Sequence, residues 1–129
     1  MRPTRHLLGP KALFYLSTVY TLAVTVAFLM PVSEGPSWDI PYLDKWVHVL
    51  FHALLALFWL STLYAADKNH FSSRWLSLAL VICFFYGIAI EAFQHWFTST
   101  RTFDLVDILA NGIGELAGLV AFKVVRKRL

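Results

Sequence analysis

Ionisable and amide side chains recur at helical spacing in three separate stretches of a chain that is otherwise strongly apolar. The stretches are DKWVHVLFH from residue 44, EAFQHW from residue 91 and RTFDLVDILAN from residue 101. Inside a bilayer such groups are costly, and they usually face the interior of a helix bundle or a water-filled cavity where they have a function. The candidate ligand-binding residues are Asp44, Lys45, His48, Glu91, Gln94, Arg101, Asp104, Asp107 and Asn111.

The spacing predicts that each stretch presents its polar side chains on one helix face. Residues three or four apart lie on the same side of an α-helix. The three predicted faces are Asp44, His48 and His52; Glu91, Gln94 and His95; and Asp104, Asp107, Asn111 and Glu115. At 1.5 Å per residue, the last stripe descends about 16 Å, roughly to the middle of a membrane.

Binding of an anionic lipid or glycan group is the function that these residue types favour. Lys45 and Arg101 would contact a phosphate or carboxylate, and arginine can do so through two parallel hydrogen bonds. Asp107, Asn111 and Gln94 would orient the two cations and bind hydroxyl groups. Transport of protons or of a headgroup along the stripe is a variant of this prediction.

Two other functions stay open. In a small enzyme acting on a lipid-linked substrate, His48 would be the general acid or base, oriented by Asp44 or Asp107, with Glu91 as a second carboxylate. The catalytic residues would then be His48, Glu91 and Asp107, although no serine or cysteine is placed beside His48 and Cys83 lies too deep. In a scaffold, the polar network would only fix the register between helices.

A metal site is a weaker alternative. His48, His52, Glu91 and His95 are suitable ligand types. However, HVLFH lacks the glutamate of the zinc-protease motif H-E-x-x-H. We therefore predict no metal ligands and no cofactor.

Some of these residues have simpler structural explanations. Asp104 can cap the N-terminus of a helix, and Asp107, three residues on, resembles a capping box. Arg101 could be an interfacial anchor or pair with Asp104, and Asn111 could form a hydrogen bond between helices. These explanations do not require Glu91 or the other groups at the same depth, so a functional site is favoured.

Composition places the chain in a membrane. It has 129 residues, of which 58% are hydrophobic and 15% charged, with a mean hydropathy of +0.61. A soluble domain would carry about 25% charged residues. The net charge of +3 is concentrated at the termini, which indicates membrane topology rather than nucleic-acid binding. The single cysteine rules out an internal disulfide.

Four apolar runs are each close to the ~20 residues that a helix needs to cross a bilayer. No period-2 alternation indicates strands. We predict an all-α integral membrane four-helix bundle, a single transmembrane domain over residues 1–129. Its helices are predicted at about 11–31, 43–66, 73–98 and 104–124. Ala110, Gly114 and Gly118 form a row of small residues that allows close helix contact in the fourth.

The distribution of lysine and arginine predicts that both termini are cytoplasmic. The cations of the two termini and the middle loop are Arg2, Arg5, Lys11, Lys68, Arg74, Lys123, Arg126, Lys127 and Arg128. Loops 31–45 and 98–103, whose only cationic residues are Lys45 and Arg101, would face outward. This topology brings the three polar stretches to the same outer side, where they would surround one pocket.

The same stretches resemble the VanZ-like family of small bacterial membrane proteins over roughly residues 41–122. The shared pattern is Asp-Lys with a histidine three residues on, a glutamate and a glutamine three apart, an arginine, Asp-x-x-Asp, and Asn-x-x-Gly-x-x-x-Gly. Its positions here are Asp44, Lys45, His48, Glu91, Gln94, Arg101, Asp104, Asp107, Asn111, Gly114 and Gly118.

The resemblance implies a multi-pass protein of the bacterial cytoplasmic membrane with a role in the cell envelope. The founding member of the family is tied to resistance against teicoplanin, a glycopeptide that acts on outer cell-wall precursors. Membrane lipids and an anionic envelope lipid or cell-wall precursor would be the partners; nucleic acid would not, and homo-oligomers are left open. His52, His95 and Glu115 depart from the family pattern, which has a small or apolar residue where Glu115 stands.

Overall fold

Four long α-helices form the protein in a computed structural model that describes residues 8–30, 40–99 and 101–129. They are α1 (Pro10–Leu29), α2 (Leu43–Ala66), α3 (Ser73–Phe97) and α4 (Leu105–Val125), followed by a short 3-10 turn, Arg126–Arg128. The described residues contain no strand, and the predicted all-α class is confirmed. The predicted helix ranges differ from these bounds by at most two residues at each end.

Part of the predicted membrane topology rests on residues that the structure does not describe. Arg2, Arg5 and most of the outward turn, residues 31–39, lie outside the described residues. The placement of both termini in the cytoplasm therefore stays a prediction from charge.

Each helix is long and apolar enough to cross a membrane, with a mean hydropathy of 1.6 to 2.2 over its most apolar window. Only 22% to 33% of each window is buried inside the protein. The remaining apolar surface would be unfavourable in water and is suited to lipid acyl chains. Helices satisfy their backbone hydrogen bonds internally, as a bilayer requires. The chain is therefore a multi-pass membrane protein.

The packing of α2 against α4 is the closest contact in the bundle. The predicted row of small residues lies in this contact, with Ala110, Gly114 and Gly118 all buried. A Cβ atom on Gly114 would overlap the carbonyl oxygen of Val49, and one on Gly118 would overlap that of Ala53. Only glycine lets the two backbones approach so closely, so these positions set the distance between α2 and α4.

The first helix supports the others through hydroxyl contacts. Ser17 Oγ lies 2.8 Å from Thr62 Oγ1 on α2, and Thr25 Oγ1 lies 2.8 Å from the Tyr86 hydroxyl on α3. Both contacts join helices in the apolar interior, where hydroxyl groups need a partner. Through these contacts α1 forms a supporting wall for α2 and α3.

One end of the bundle is distinct in composition, and we call it the polar end. It is formed by the N-terminus of α2, the C-terminus of α3 and the N-terminus of α4. The chain enters α2 through Tyr42, whose φ of 58° is uncommon for a residue other than glycine. This turn places Asp44 and Lys45 in the first turn of α2, beside the start of α4.

Candidate functional site

The three polar stretches meet at the polar end around a cavity of about 640 Å³, the polar pocket. Seven of the nine predicted binding residues line it: Asp44, Lys45, His48, Gln94, Arg101, Asp104 and Asp107. The other two, Glu91 and Asn111, lie beneath it beside His48. The structure therefore brings all nine predicted residues to one region.

Lys45 connects the first turns of α2 and α4. Its ammonium Nζ lies 2.6 Å from Asp104 Oδ2, 2.6 Å from Asp107 Oδ1 and 2.9 Å from Asp44 Oδ2. An ammonium has three N–H donors, and here each has a carboxylate acceptor. Lys45 is thus already paired with protein groups and does not offer a free donor to a ligand.

Asp104 is the N-cap of α4, as one of the structural explanations predicted. Its side chain accepts a hydrogen bond of 2.8 Å from the backbone N–H of Val106. The Lys45 ammonium, together with this N–H group, holds the pKa of Asp104 below its usual range. Asp107 has a different role, because its carboxylate contacts Lys45 and His48 rather than the helix end.

His48 is buried at the floor of the polar pocket and has partners on two other helices. Its Nδ1 lies 2.9 Å from Asn111 Oδ1, so the imidazole N–H donates to the amide oxygen. Its Nε2 is 3.6 Å from Asp107 Oδ2, and its Nδ1 is 3.6 Å from Glu91 Oε1. The ring stacks on Phe28, with 4.6 Å between centroids. This packing fixes the orientation of the imidazole.

Unsatisfied polar atoms are concentrated around this histidine. Within the described part of the chain, neither carboxylate oxygen of Glu91 meets hydrogen-bond geometry with a donor, although the side chain is fully buried. Arg101 Nε, Asn111 Nδ2 and, one turn deeper, His52 Nε2 are also buried without a partner among the described residues. Most buried polar groups in proteins are hydrogen-bonded, and exceptions call for an ion, water or functional explanation. These groups can be satisfied by water, an ion or another ligand in the site.

A second pair of ionisable groups lies one turn deeper on the same helices. His52 Nδ1 is 3.4 Å from Glu115 Oε1, and both side chains are buried. Glu115, the acid that departs from the family pattern, thus has a local partner. Gly87 on α3 leaves the space that His52 occupies, because a Cβ atom there would overlap the imidazole ring.

The four residues of the weaker metal alternative are not all brought together among the described residues. His95 is exposed, whereas Glu91 and Gln94 are buried, so it does not join the cluster around His48. Instead, His48, Glu91 and Asp107 each place a ligand atom within 4.8 Å of the other two. These three residues come from α2, α3 and α4, and the sequence did not predict them as a metal site.

The contribution of α1 to the site was also missed. The carbonyl oxygen of Phe28 accepts a hydrogen bond of 2.8 Å from Gln94 Nε2, in addition to the stacking of its ring on His48. Phe28 belongs to a run without charges, so no local pattern distinguished it from residues that face lipid. The pairing of Arg101 with Asp104 was a further expectation, and the described residues show no ion pair between them.

The fold and the site define a polytopic helical membrane protein with a polar cluster set into one end of its bundle. The family model for VanZ/LLP1 matches residues 9–126, nearly the whole chain. The protein belongs to this family. Comparison with the curated proteins gave no match, and neither did comparison with the solved structures.

Proposed function

We propose that the polar pocket binds the anionic headgroup of a cell-envelope lipid or lipid-linked glycan at the outer face of a bacterial cytoplasmic membrane. The observation that carries the proposal is Arg101, which lines the pocket with a guanidinium nitrogen that has no partner among the described residues. Guanidinium groups bind phosphate and carboxylate through two parallel hydrogen bonds. Because Lys45 is paired with three carboxylates, Arg101 is the group that would contact the anion.

The lining of the pocket suits an amphipathic ligand. Ala27, Val47 and Phe51 supply apolar lining from α1 and α2, and the ionisable lining groups come from α2, α4 and the 101–104 segment. A lipid tail would follow the apolar side and its headgroup would meet Arg101. The volume of about 640 Å³ is within the range of about 300–1,000 Å³ usual for small-molecule sites.

Native mass spectrometry in detergent can test the role of Arg101 with phosphatidylglycerol as the anionic probe and phosphatidylcholine as the neutral one. We expect Arg101→Ala to weaken phosphatidylglycerol binding at least tenfold, and Arg101→Lys to retain part of it because the charge remains. Arg74→Ala is the matched control, since Arg74 is an exposed arginine at the opposite end of the bundle. Equal binding by the wild type and both Arg101 variants would refute the proposal.

A second candidate function is catalysis on a lipid-linked substrate. The proximity of His48, Glu91 and Asp107 favours it, because an imidazole between two carboxylates can accept and return a proton. In a hydrolase, His48 would activate water. Incubation of the purified protein with polyprenyl phosphates and detection of products by mass spectrometry would test this. Turnover lost in His48→Ala with phosphatidylglycerol binding kept would support an enzyme.

A link to glycopeptide resistance or to envelope homeostasis is the cellular counterpart of headgroup binding. If the pocket acts on envelope lipids, its loss should change how an outer-surface antibiotic reaches its target. We expect an expressing strain to differ in teicoplanin susceptibility from one that carries Arg101→Ala at the same protein level. Identical susceptibility of these strains and of a strain lacking the protein would separate the chain from this role.

A further inference from the structure

We propose that His48, Glu91 and Asp107 bind one divalent cation of the Zn²⁺ or Mn²⁺ class at the floor of the polar pocket. Each ligand comes from a different helix, α2, α3 and α4 respectively. The proposal does not depend on headgroup binding, because the cation site can be measured in the absence of lipid.

The distances between the three side chains suit a shared ion. One ligand atom from each lies within 4.8 Å of the other two, and His48 Nε2 is 3.6 Å from Asp107 Oδ2. Two atoms bound tetrahedrally to one ion at about 2.1 Å are about 3.4 Å apart. A separation of 3.6 Å is too long for a direct hydrogen bond. The gap therefore fits an ion between the two atoms.

The tautomer of His48 also fits metal binding. Its Nδ1–H donates to Asn111 Oδ1, which leaves the lone pair of Nε2 directed to the side of Asp107. Metal-binding histidines usually donate their other ring N–H to a neighbouring oxygen in this way. A neutral imidazole nitrogen and a carboxylate oxygen are both acceptors, so a cation between them gives each a partner.

Glu91 is the observation that distinguishes this cluster from a group of acidic residues. It is fully buried, it lies 3.6 Å from Nδ1 of the same imidazole, and among the described residues no group meets hydrogen-bond geometry with either of its oxygens, although the backbone of Asp104 is close. A buried charge requires pairing or coordination. The Lys45 ammonium cannot supply it, because its donors already face three other carboxylates.

The charges around the pocket agree with a divalent ion. The ionisable groups of the pocket and its floor, apart from His48, are Asp44, Asp104, Asp107, Glu91, Lys45 and Arg101. When all six are ionised, four negative charges face two positive ones. The two negative charges in excess are neutralised by one divalent cation.

The ligand types indicate the class of ion. One imidazole and two carboxylates suit Zn²⁺ and Mn²⁺, whereas an all-oxygen site would suit Ca²⁺ or Mg²⁺. Three protein ligands leave at least one coordination position for water, as in zinc sites that bind exchangeable ligands.

Metal binding can be measured on purified protein in detergent after removal of the affinity tag and treatment with a chelator. In equilibrium dialysis against Zn²⁺, we expect one equivalent per wild-type chain and at least tenfold weaker binding by Glu91→Gln. Glu115→Gln is the matched control, because it changes a buried acid that faces a histidine one turn deeper. Equal Zn²⁺ binding by wild type and Glu91→Gln, or equal loss in Glu115→Gln, would overturn the proposal.

Pulsed electron paramagnetic resonance with Mn²⁺ tests the ligands directly. We expect a nitrogen coupling from His48 that is lost in His48→Gln and kept in His52→Gln. A coupling that persists in His48→Gln, or no Mn²⁺ binding together with no Zn²⁺ binding, would overturn the proposal. Arg101→Ala separates the two proposals, since it should keep the cation and lose phosphatidylglycerol.

Thermal unfolding keeps the test informative if a variant folds poorly. We expect excess Zn²⁺ to raise the melting temperature of the wild type and of Glu115→Gln, but not that of Glu91→Gln, because ligands stabilise only the state that binds them. An equal rise in all three proteins would contradict the site.

Discussion

His48 and His52 lie one turn apart on α2, and each faces acidic side chains of neighbouring helices, yet their surroundings differ. His52 has a single buried acid, Glu115, at 3.4 Å. His48 has Asn111 at 2.9 Å and two carboxylates at 3.6 Å, and it borders the polar pocket. In the deeper pair each residue is the partner of the other, and His52 Nε2 has no further partner among the described residues. The cluster around His48 has more hydrogen-bond acceptors than donors. This arrangement is expected where a cation or another ligand binds.

The comparison shows that ionisable residues on one stripe of a helix can have different roles. A buried pair with matched partners can fix the register of two helices. Buried polar groups without partners lower the stability of the fold, and folding alone does not require them. A cluster of such groups therefore indicates a functional site. The depth of a group therefore matters less than whether its partners are complete.

The largest expected effect comes from a substitution that disrupts both the His48 cluster and the His52–Glu115 pair. Gly114→Val places a branched side chain against the Val49 carbonyl, so α2 and α4 must separate. We expect a loss of about 3 kcal/mol in the free energy of unfolding, since overpacking by even smaller groups costs 1–3 kcal/mol. Reversible unfolding in mixed detergent micelles measures it. Gly112→Ala is the control, because its Cβ would meet only Phe84 at an ordinary distance of 3.6 Å.

Removing the Lys45 ammonium at the mouth of the pocket should affect the cluster around His48 and leave the His52–Glu115 pair unchanged. Lys45→Met leaves Asp107, which is mostly buried, without its ammonium partner. Breaking a fully buried pair costs about 3–5 kcal/mol, and because Lys45 is partly exposed we expect about 2 kcal/mol. The same unfolding assay measures the loss, and adding Asp107→Asn should restore part of it. No change in Lys45→Met would show that the three contacts do not hold α2 to α4.

The two buried glutamates should respond with different signs. Glu115→Gln weakens the contact with His52, so we expect about 1 kcal/mol of destabilisation. Glu91→Gln replaces an unpaired buried carboxylate with a neutral amide of the same shape, so in metal-free buffer we expect no loss or a gain in stability. Parallel unfolding curves with a chelator give both values. Equal destabilisation by the two substitutions would remove the distinction between the regions.

The smallest expected effect is a pH dependence that belongs to the upper region. The pKa of Asp104 in the folded protein is below its unfolded value of about 3.9, mainly because of Lys45. Its contribution to stability is therefore complete above about pH 4 and is lost as the pH falls through the lower folded pKa. Melting temperatures between pH 3 and pH 7 should fall less steeply at the acidic end in Asp104→Asn. A slope identical to that of the wild type would contradict the Lys45–Asp104 contact.

The helices and the polar stripe of α4 could be predicted from the sequence because both are periodic. Hydropathy sets the length of each helix, and a spacing of three and four residues placed Asp107, Asn111 and Glu115 on one face, where all are buried. The glycine row followed from the same spacing, and Gly114 and Gly118 do lie against α2.

The partners of each group could not be predicted, because they depend on the rotation and tilt of packed helices. The sequence could not show that one ammonium takes three carboxylates, which leaves Arg101 as the cation able to meet an anion. It could not show that His95, near the end of α3, is exposed while Glu91 and Gln94 are buried. Phe28 had no signal at all, since its role arises from where α1 packs.

The contacts between Lys45 and α4 have a consequence for biogenesis. Lys45 and Asp107 are 62 residues apart in the chain, so the partner of the lysine is synthesised much later. At about 5–20 residues per second, the ribosome takes roughly 3 to 12 s to make that segment. During this interval Lys45 and the Glu91 end of α3 lack their α4 neighbours, so we expect the translocon or a chaperone to hold them. Nascent chains stalled before α4 should therefore crosslink to the insertion machinery through α2.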